Sequence, residues 1–348
     1  MVEKKRARHG IVSDHASEAV HAPLLLHFPE LVAQCGADPE ALLRQAGIAA
    51  DASGLRQATY RQIAELLEIT AASLGRPDFG MMLASYQCRS GMEGPLGQVM
   101  RHARCFGDML ELAARHGYAH SLASNSWLRR SGRSVLFGHD ILLKGLTATS
   151  QVMEQILLIG NLMAIRLTGG AVRARCILLR HRRVSPARLY RRYFGCEVRF
   201  DQGTNATIYR EEDMTRPIQS ADLETFREEL ATLEDRFQEK ELPLSRMIRG
   251  AILHRLTDNK CTCDWVAHTL GLHTRTLHRH LRREGTSFRL IKDEVRRDLA
   301  GYYLRNTDLD MKTISERLGF SEQSVLARRA RTWFRRSPSD LRARSRAG

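Results

Sequence analysis

Apolar positions recur with a helical period along most of the first ninety residues. Leu42, Leu43 and Ala46 share a face of PEALLRQAGI, and Ile63, Leu66, Leu67 and Leu74 share one of YRQIAELLEITAASLG. This texture, running from Leu24 to about Tyr86, breaks at Gly94-Pro95. A further helix is predicted over Leu96 to His116, where Val99, Met100, Met109, Leu110 and Leu112 are apolar. The pattern then changes. SLASNSWLRRSGRSVLFGHDI, from Ser121 to Ile141, holds two strand-like runs around Ser131-Gly132, a hairpin signal. Gln151 to Leu167 is helical. AVRARCILL (Ala171 to Leu179) alternates and then runs apolar, as a strand does. After a short helix behind Pro186, CEVRF and ATIY are expected to form another pair of strands. The first two hundred residues are predicted as α+β, with helices leading.

Between Asp222 and Gln238 the residues Leu223, Phe226, Leu230, Leu233 and Phe237 fall at spacings of 3, 4, 3 and 4, an a/d stripe two heptads long. Two readings stand: a helix packed on its own domain, or a dimerisation helix. KELP, ending at Pro243, reads as a linker. ILLIGNLMAI, Ile156 to Ile165, is the most apolar stretch. It carries Asn161, ends at Arg166 and is too short to span a bilayer, so it is expected as a buried helix and no membrane association is expected.

The last hundred residues contain an approximate repeat. WVAHTLGLHTRTLHRHLRREG (Trp265 to Gly285) and TISERLGFSEQSVLARRARTWF (Thr313 to Phe334) align at an offset of 48, pairing Val266 with Ile314, Leu270 with Leu318, Gly271 with Gly319, Leu272 with Phe320 and Leu277 with Val325. Each unit reads helix, glycine turn, helix, with Thr262 and Asp310 as N-caps of the first helices. Between the units, Phe288, Ile291, Val295, Leu299 and Tyr302 lie along one face of a long helix that can hold both at fixed separation.

Charge sharpens this division. Net charge is +15, and residues 244–348 carry 23 Lys/Arg against 11 Asp/Glu, whereas the first 243 residues carry 31 against 28. A strongly basic final third on a nearly neutral body points to a polyanion-binding module. The basic start, MVEKKRARHG, lacks an apolar stretch behind it and is not expected to be a signal peptide. Seven scattered cysteines and no export signal fit reduced thiols in a cytoplasm. In the first unit, Arg275, Thr276, His278, Arg279 and Arg282 face outward while Leu277 and Leu281 face the core. In the second, Gln323, Ser324 and Arg328 occupy the early exposed face. Arginine can grip guanine, and the hydroxyls and imidazole can reach bases or phosphates.

On LGFSEQS, TWF, SPSDLR and the linker TSFRLIKDEVRRDLA, residues 245–342 resemble the tandem helix-turn-helix domain of AraC/XylS-type bacterial transcription regulators. The resemblance implies base contacts from Arg275, His278 and Arg279, and from Gln323, Ser324 and Arg328. Relative to that family, this chain lacks the usual aromatics at Leu326 and Ala330. It also carries Arg329 where a small residue is usual and Arg335 where glycine or a small turn residue is usual. A less dense core at Ala330 and added phosphate contacts from Arg329 and Arg335 are expected. FPELVAQCGADPEALLRQAGI and YFGCEVRFDQGTNATIYREEDMTRPI resemble an arabinose-binding-like effector domain found in a branch of the family.

The expected architecture is therefore mainly α. An arm covers residues 1–20, an α+β effector-sensing domain 21–215, and the amphipathic helix with its linker 216–243. An all-α domain of two helix-turn-helix units joined by a long linker helix covers 244–342, with a tail over 343–348. The implied function is an activator that binds double-stranded DNA, responds to a small-molecule effector, contacts RNA polymerase and forms a homodimer. Histidines 116, 120 and 139, Trp127, Tyr86 and Cys88 are read as packing residues, and no effector site is assigned. No catalytic signature (HExxH, Walker loop, GxGxxG or GxSxG) is present, so neither an enzyme nor a cofactor is expected. Two alternatives stand beside this. A DNA-repair regulator would use Cys261 and Cys263 as reactive or zinc-bound thiols, with His254, His268 and His273 nearby, although a lone CxC does not supply four ligands. An architectural DNA-binding protein would need no effector.

Overall fold

The computed structural model describes Val20 and residues 24–49, 58–89, 94–146, 148–237, 243–256 and 261–347. Apart from Val20, the arm expected over 1–20 lies outside the described residues, as do residues 240–242 of the linker.

The N-terminal part opens with helices α1 (Phe28–Gln34), α2 (Pro39–Gln45), α3 (Tyr60–Ser73) and α4 (Phe79–Arg89). A reciprocal capping box between Thr59 and Gln62 starts α3, satisfying backbone N–H groups that have no partner inside the helix. Two shorter helices, α5 (Pro95–Met100) and α6 (Phe106–Arg115), lead into the hairpin β1 (Ser124–Ser131) and β2 (Ser134–Ile141). Ser131 faces Ser134 across a turn in which Gly132 takes φ +58°. Then come α7 (Ser150–Leu167), β3 (Cys176–Leu178), α8 (Ala187–Phe194), β4 (Glu197–Arg199), β5 (Ala206–Arg210) and α9 (Leu223–Arg236).

The strands form one sheet in the order β1-β2-β5-β3-β4. β4 and β5, expected as a pair, are separated by β3, which runs parallel to β4 and antiparallel to β5. The crossover through α8 makes β4 parallel to β3, which leaves the other edge of β3 for β5. α7 sits between two cores. Val152 belongs to the cluster of α1, α3 and α4, while Met153, Leu157, Leu158 and Ala164 belong to the sheet-side cluster. It approaches α4 so closely that a Cβ on Gly80 would stand 2.2 Å from the Gln151 carbonyl oxygen. Asn161 is buried here without penalty: its side chain donates to Phe194 O and accepts from Ala174 N.

Three sequence expectations change. The helix predicted over Leu96–His116 is broken at 101–105, because Phe106 N donates to Arg216 O and Ile218 N to Arg104 O, pulling that backbone into an extended pairing. The strand predicted from Ala171 forms only from Cys176. The a/d stripe on α9 packs mostly within the chain. Leu233 is buried, and Phe226, Leu230 and Phe237 are half-buried beside Leu96, Val99, Leu112 and Tyr118; Leu223 alone of the five is exposed. His116 Nε2 lies 3.2 Å from Glu234 and secures the same contact. Within the chain, the packing favours the first of the two readings of this helix.

The C-terminal part is all-α. α10 (Leu244–Arg255) begins directly after Pro243, its first amides Leu244 N and Ser245 N donating to the Glu284 carboxylate. The first unit is α11 (Cys263–Thr269) and α12 (Thr274–Arg283), followed by the 19-residue linker helix α13 (Phe288–Asn306). The second is α14 (Met311–Arg317) and α15 (Gln323–Phe334), closed by α16 (Pro338–Ala347), which continues through the stretch expected as a tail. Ile291, Val295 and Leu299 of α13 join Leu277 and Leu281 to Ile314, Leu318 and Leu326 in one apolar cluster. No helix among the described residues is long and apolar enough to cross a membrane.

Candidate nucleic-acid interface

Local chemistry positions both helix pairs. The Thr262 side chain accepts from Trp265 N and Asp310 from Thr313 N, as the sequence predicted. Gly271 and Gly319 turn the chain at φ +65° and +64°, conformations that a Cβ would strain. Ser337 and Asp340 cap α16 reciprocally, the Ser337 N–H donating to Asp340 and the Asp340 N–H to the Ser337 hydroxyl.

Past the turns the two units fall out of the 48-residue register. The second turn is one residue longer, so α12 is capped by His273 and α15 by Glu322, an offset of 49. Leu277 therefore matches Leu326, both buried, rather than the half-buried Val325. In the same register Leu281 matches Ala330, and Arg279 matches Arg328. Ala330 is fully buried; elsewhere in the unit Phe320 lies 6.3 Å from Trp333, and Phe334 packs against Gly301 of α13.

Arg275, His278, Arg279 and Arg282 are exposed and line one open concavity together with Arg283, which sequence reasoning missed. Thr276 is half-buried beside them. On α15, Gln323, Ser324 and Arg328 are exposed, and the Ser324 hydroxyl donates to Glu322 Oε2 at 2.9 Å. Arg329 points elsewhere: its Nη1 lies 3.7 Å from Asp293 Oδ1 on α13. Arg335 caps α15 at φ +57°, the left-handed conformation that glycine would adopt without strain.

The linker helix grips both units from one side. Lys292 Nζ donates to Cys261 O at 2.7 Å, and one turn later Arg296 donates to Leu318 O and Gly319 O at 2.9 and 2.8 Å. Arg296 also lies over the Phe320 ring. The entry to the first unit and the glycine turn of the second are thereby tied to one rigid element, about 28 Å long at the α-helical rise. These tethers went unnoticed in the sequence, although their i, i+4 spacing on α13 was a usable signal.

The cysteines and the histidines considered beside them are engaged separately among the described residues. Cys261 is buried, Cys263 Sγ lies 3.6 Å from His278 Nε2, and burial raises the Cys263 thiol pKa. His268 is exposed and His273 is occupied as a cap; the His254 side chain lies outside the described residues. Among the described residues, no three His, Cys, Asp or Glu are grouped to hold a metal ion. In the N-terminal part, His139 is buried between Tyr60 and Ser126, and Trp127 donates to Asp140. Half-buried Cys88 has its thiol pushed up to about 11 by desolvation. Tyr86 lines an open cleft of about 840 Å³ with His27, Gln34, Arg89 and Arg192.

Comparison with known proteins places this geometry. Residues 36–218 match the arabinose-binding domain of AraC transcription regulators, N-terminal, and residues 266–344 match a helix-turn-helix domain. The HTH-type transcriptional regulator VirS of Mycobacterium tuberculosis is 32% identical over 331 residues, covering 93% of this chain and 96% of its own. The urease operon transcriptional activator of Escherichia coli is 35% identical over 99 residues, 28% of this chain and 33% of its own. The crystal structure of transcriptional regulator CdpR from Pseudomonas aeruginosa covers 87% of this chain and 96% of its own at 24% identity and a TM-score of 0.43. With an arabinose-binding-type domain ahead of paired helix-turn-helix units, the chain belongs to the AraC family of DNA-binding transcription regulators.

Proposed function

We propose that one chain reads two successive major grooves, α12 in one and α15 in the next. The observation that carries this is the equivalence of Arg279 and Arg328. Each is exposed, six residues past its N-cap, on a helix whose buried face is matched position for position and whose unit is fastened to α13. Successive major grooves on one face of B-DNA lie about 34 Å apart, a distance that a helix of about 28 Å with a recognition helix at each end suits. In this reading Arg275, Thr276, His278, Arg279 and Arg282 form the contact set of the first half. Gln323, Ser324 and Arg328 form that of the second, with Ser324 exchanging its Glu322 bond for DNA.

The protein then works in the cytoplasm as an activator, contacting RNA polymerase while bound to promoter DNA. The activator by name among its relatives supports this direction. A small molecule held by the N-terminal domain shifts the population between DNA-competent and incompetent arrangements. Self-association as a homodimer uses a surface other than the α9 stripe. The test is selection from randomised duplex DNA by the full chain. Two short conserved blocks spaced by one helical turn are expected, and binding without sequence preference would leave the architectural alternative standing.

A further inference from the structure

The N-terminal part meets α10 and α13 at several points. Arg246 of α10 donates to Leu122 O at 3.1 Å, Leu142 joins the apolar cluster of the helix-turn-helix units, and Lys144 pairs with Glu294 of α13 at 2.8 Å. At the far end of α13 the contact changes character. Asn306 is the last residue of that helix, where the final carbonyls have no partner inside it. Asn306 O accepts from Arg182 N at 2.8 Å, and Asp308 N, in the joint before α14, donates to Asp201 Oδ1 at 3.1 Å. The N-terminal part thus closes the joint between α13 and the second unit. The loops that do so are held by one another. Asp201 N donates to His181 O at 3.1 Å, and the buried His181 ring donates through Nδ1 to Arg182 O at 2.8 Å. Asp201 itself stands at φ +56°, a strained angle for a residue with a side chain, which persists where its surroundings fix it. Burial raises the Asp201 pKa; the Asp308 N–H, Arg317 and Arg182 oppose this, and Arg317 is the last residue of α14.

With these contacts made, Arg275, His278 and Arg279 on α12 and Gln323, Ser324 and Arg328 on α15 stay exposed. Docking that masked the recognition helices would hide them; here they are open, and the joint behind the second unit is fixed. We propose that the N-terminal part is a brace. Docked, it holds the second unit at the angle at which both recognition helices reach DNA, through the clamp of Arg182 and Asp201 on the joint between α13 and α14. The proposal deepens the two-groove reading and rests on it. It also gives the effector response a direction: the docked arrangement is the DNA-competent one, and a ligand that favours it raises affinity for the complete site by its differential affinity for the two arrangements.

The experiment measures, by mobility shift, the affinity of the full-length protein for the two-block duplex it selects and for a duplex with the second block scrambled. Asp201→Gly removes the clamp's carboxylate at a backbone angle that glycine adopts freely. It should lower affinity for the two-block duplex about fivefold or more and bind the scrambled duplex as the wild type does. Unchanged or tighter binding of the two-block duplex by the folded variant overturns the proposal, and tighter binding makes docking inhibitory. Should Asp201→Gly fail to fold, Lys144→Glu decides, because it sets two carboxylates against each other at α13. A loss on the two-block duplex that Lys144→Glu combined with Glu294→Lys recovers upholds the brace; no loss, or a loss not recovered, overturns it. A wild type that binds both duplexes equally sinks the two-groove reading and the brace together. One that prefers the two-block duplex, with a folded Asp201→Gly protein that matches it, sinks the brace alone.

Discussion

The indole N–H of Trp333 donates to Asp293 Oδ2 at 3.0 Å, fastening the second recognition helix to the linker helix. Arg329 reaches the other oxygen of the same carboxylate. Asp293→Ala removes both contacts and leaves a half-buried indole donor unmatched. A loss of about 1–2 kcal/mol is expected, toward the low end because the carboxylate is partly exposed. Urea unfolding of the variant, read as a lowered midpoint at constant slope, checks it.

Arg335 occupies a backbone conformation that costs L-residues about 1–2 kcal/mol, part of which glycine's extra freedom in the unfolded chain takes back. Arg335→Gly is therefore expected to raise stability by about 0.5–1 kcal/mol. If the exposed Arg335 side chain also touches a phosphate, the same variant lowers the salt dependence of DNA affinity by about one ion. Thermal unfolding and a salt titration read the two effects independently.

The α9 stripe gives a contrast between two substitutions. Leu233→Ala opens a cavity under α9 and is expected to cost about 2–5 kcal/mol. Leu230→Lys places a charge at the edge of that same internal contact. It should lower the unfolding midpoint while leaving the mass profile in solution as in the wild type. A fall in oligomer mass for a folded Leu230→Lys protein would return the stripe to an intermolecular role.

His139 supplies a pH dependence of known sign. Burial lowers its pKa from 6.5 to about 4, with the neighbouring Asp140 opposing. Between those values the unfolded chain binds a proton that the folded chain refuses. The stability tied to neutral His139 is thus complete above pH 6.5 and fades as the pH falls toward 4. His139→Gln should flatten the stability–pH curve in that window by about 1.4 kcal/mol per pH unit. Curves that stay parallel would show that the imidazole titrates normally.

What could be read from the sequence follows from where the controlling interactions lie. The caps Thr262 and Asp310, the glycine turns and the outward arginines are set by near neighbours in the chain, and periodicity and spacing find them. The break at 101–105 is made by pairing with 216–218, over a hundred residues away, so the helical pattern ran straight through it. On α9 the apolar stripe identified the buried face but not the surface that covers it. The repeat was found at 48 residues because its glycines are conspicuous. The lengthened second turn moved the recognition helices to 49, and only the buried positions revealed that shift.

The central claim is that Arg279 and Arg328 perform the same task in separate halves of one DNA site. The direct measurement is sequence selection with the full chain, repeated for Arg279→Ala and for Arg328→Ala. Each substitution should relax one block of the selected site, leave the other intact and cost about 1–3 kcal/mol of affinity. If both variants select the wild-type sequence with unchanged affinity, the two arginines do not read bases and the tandem account fails.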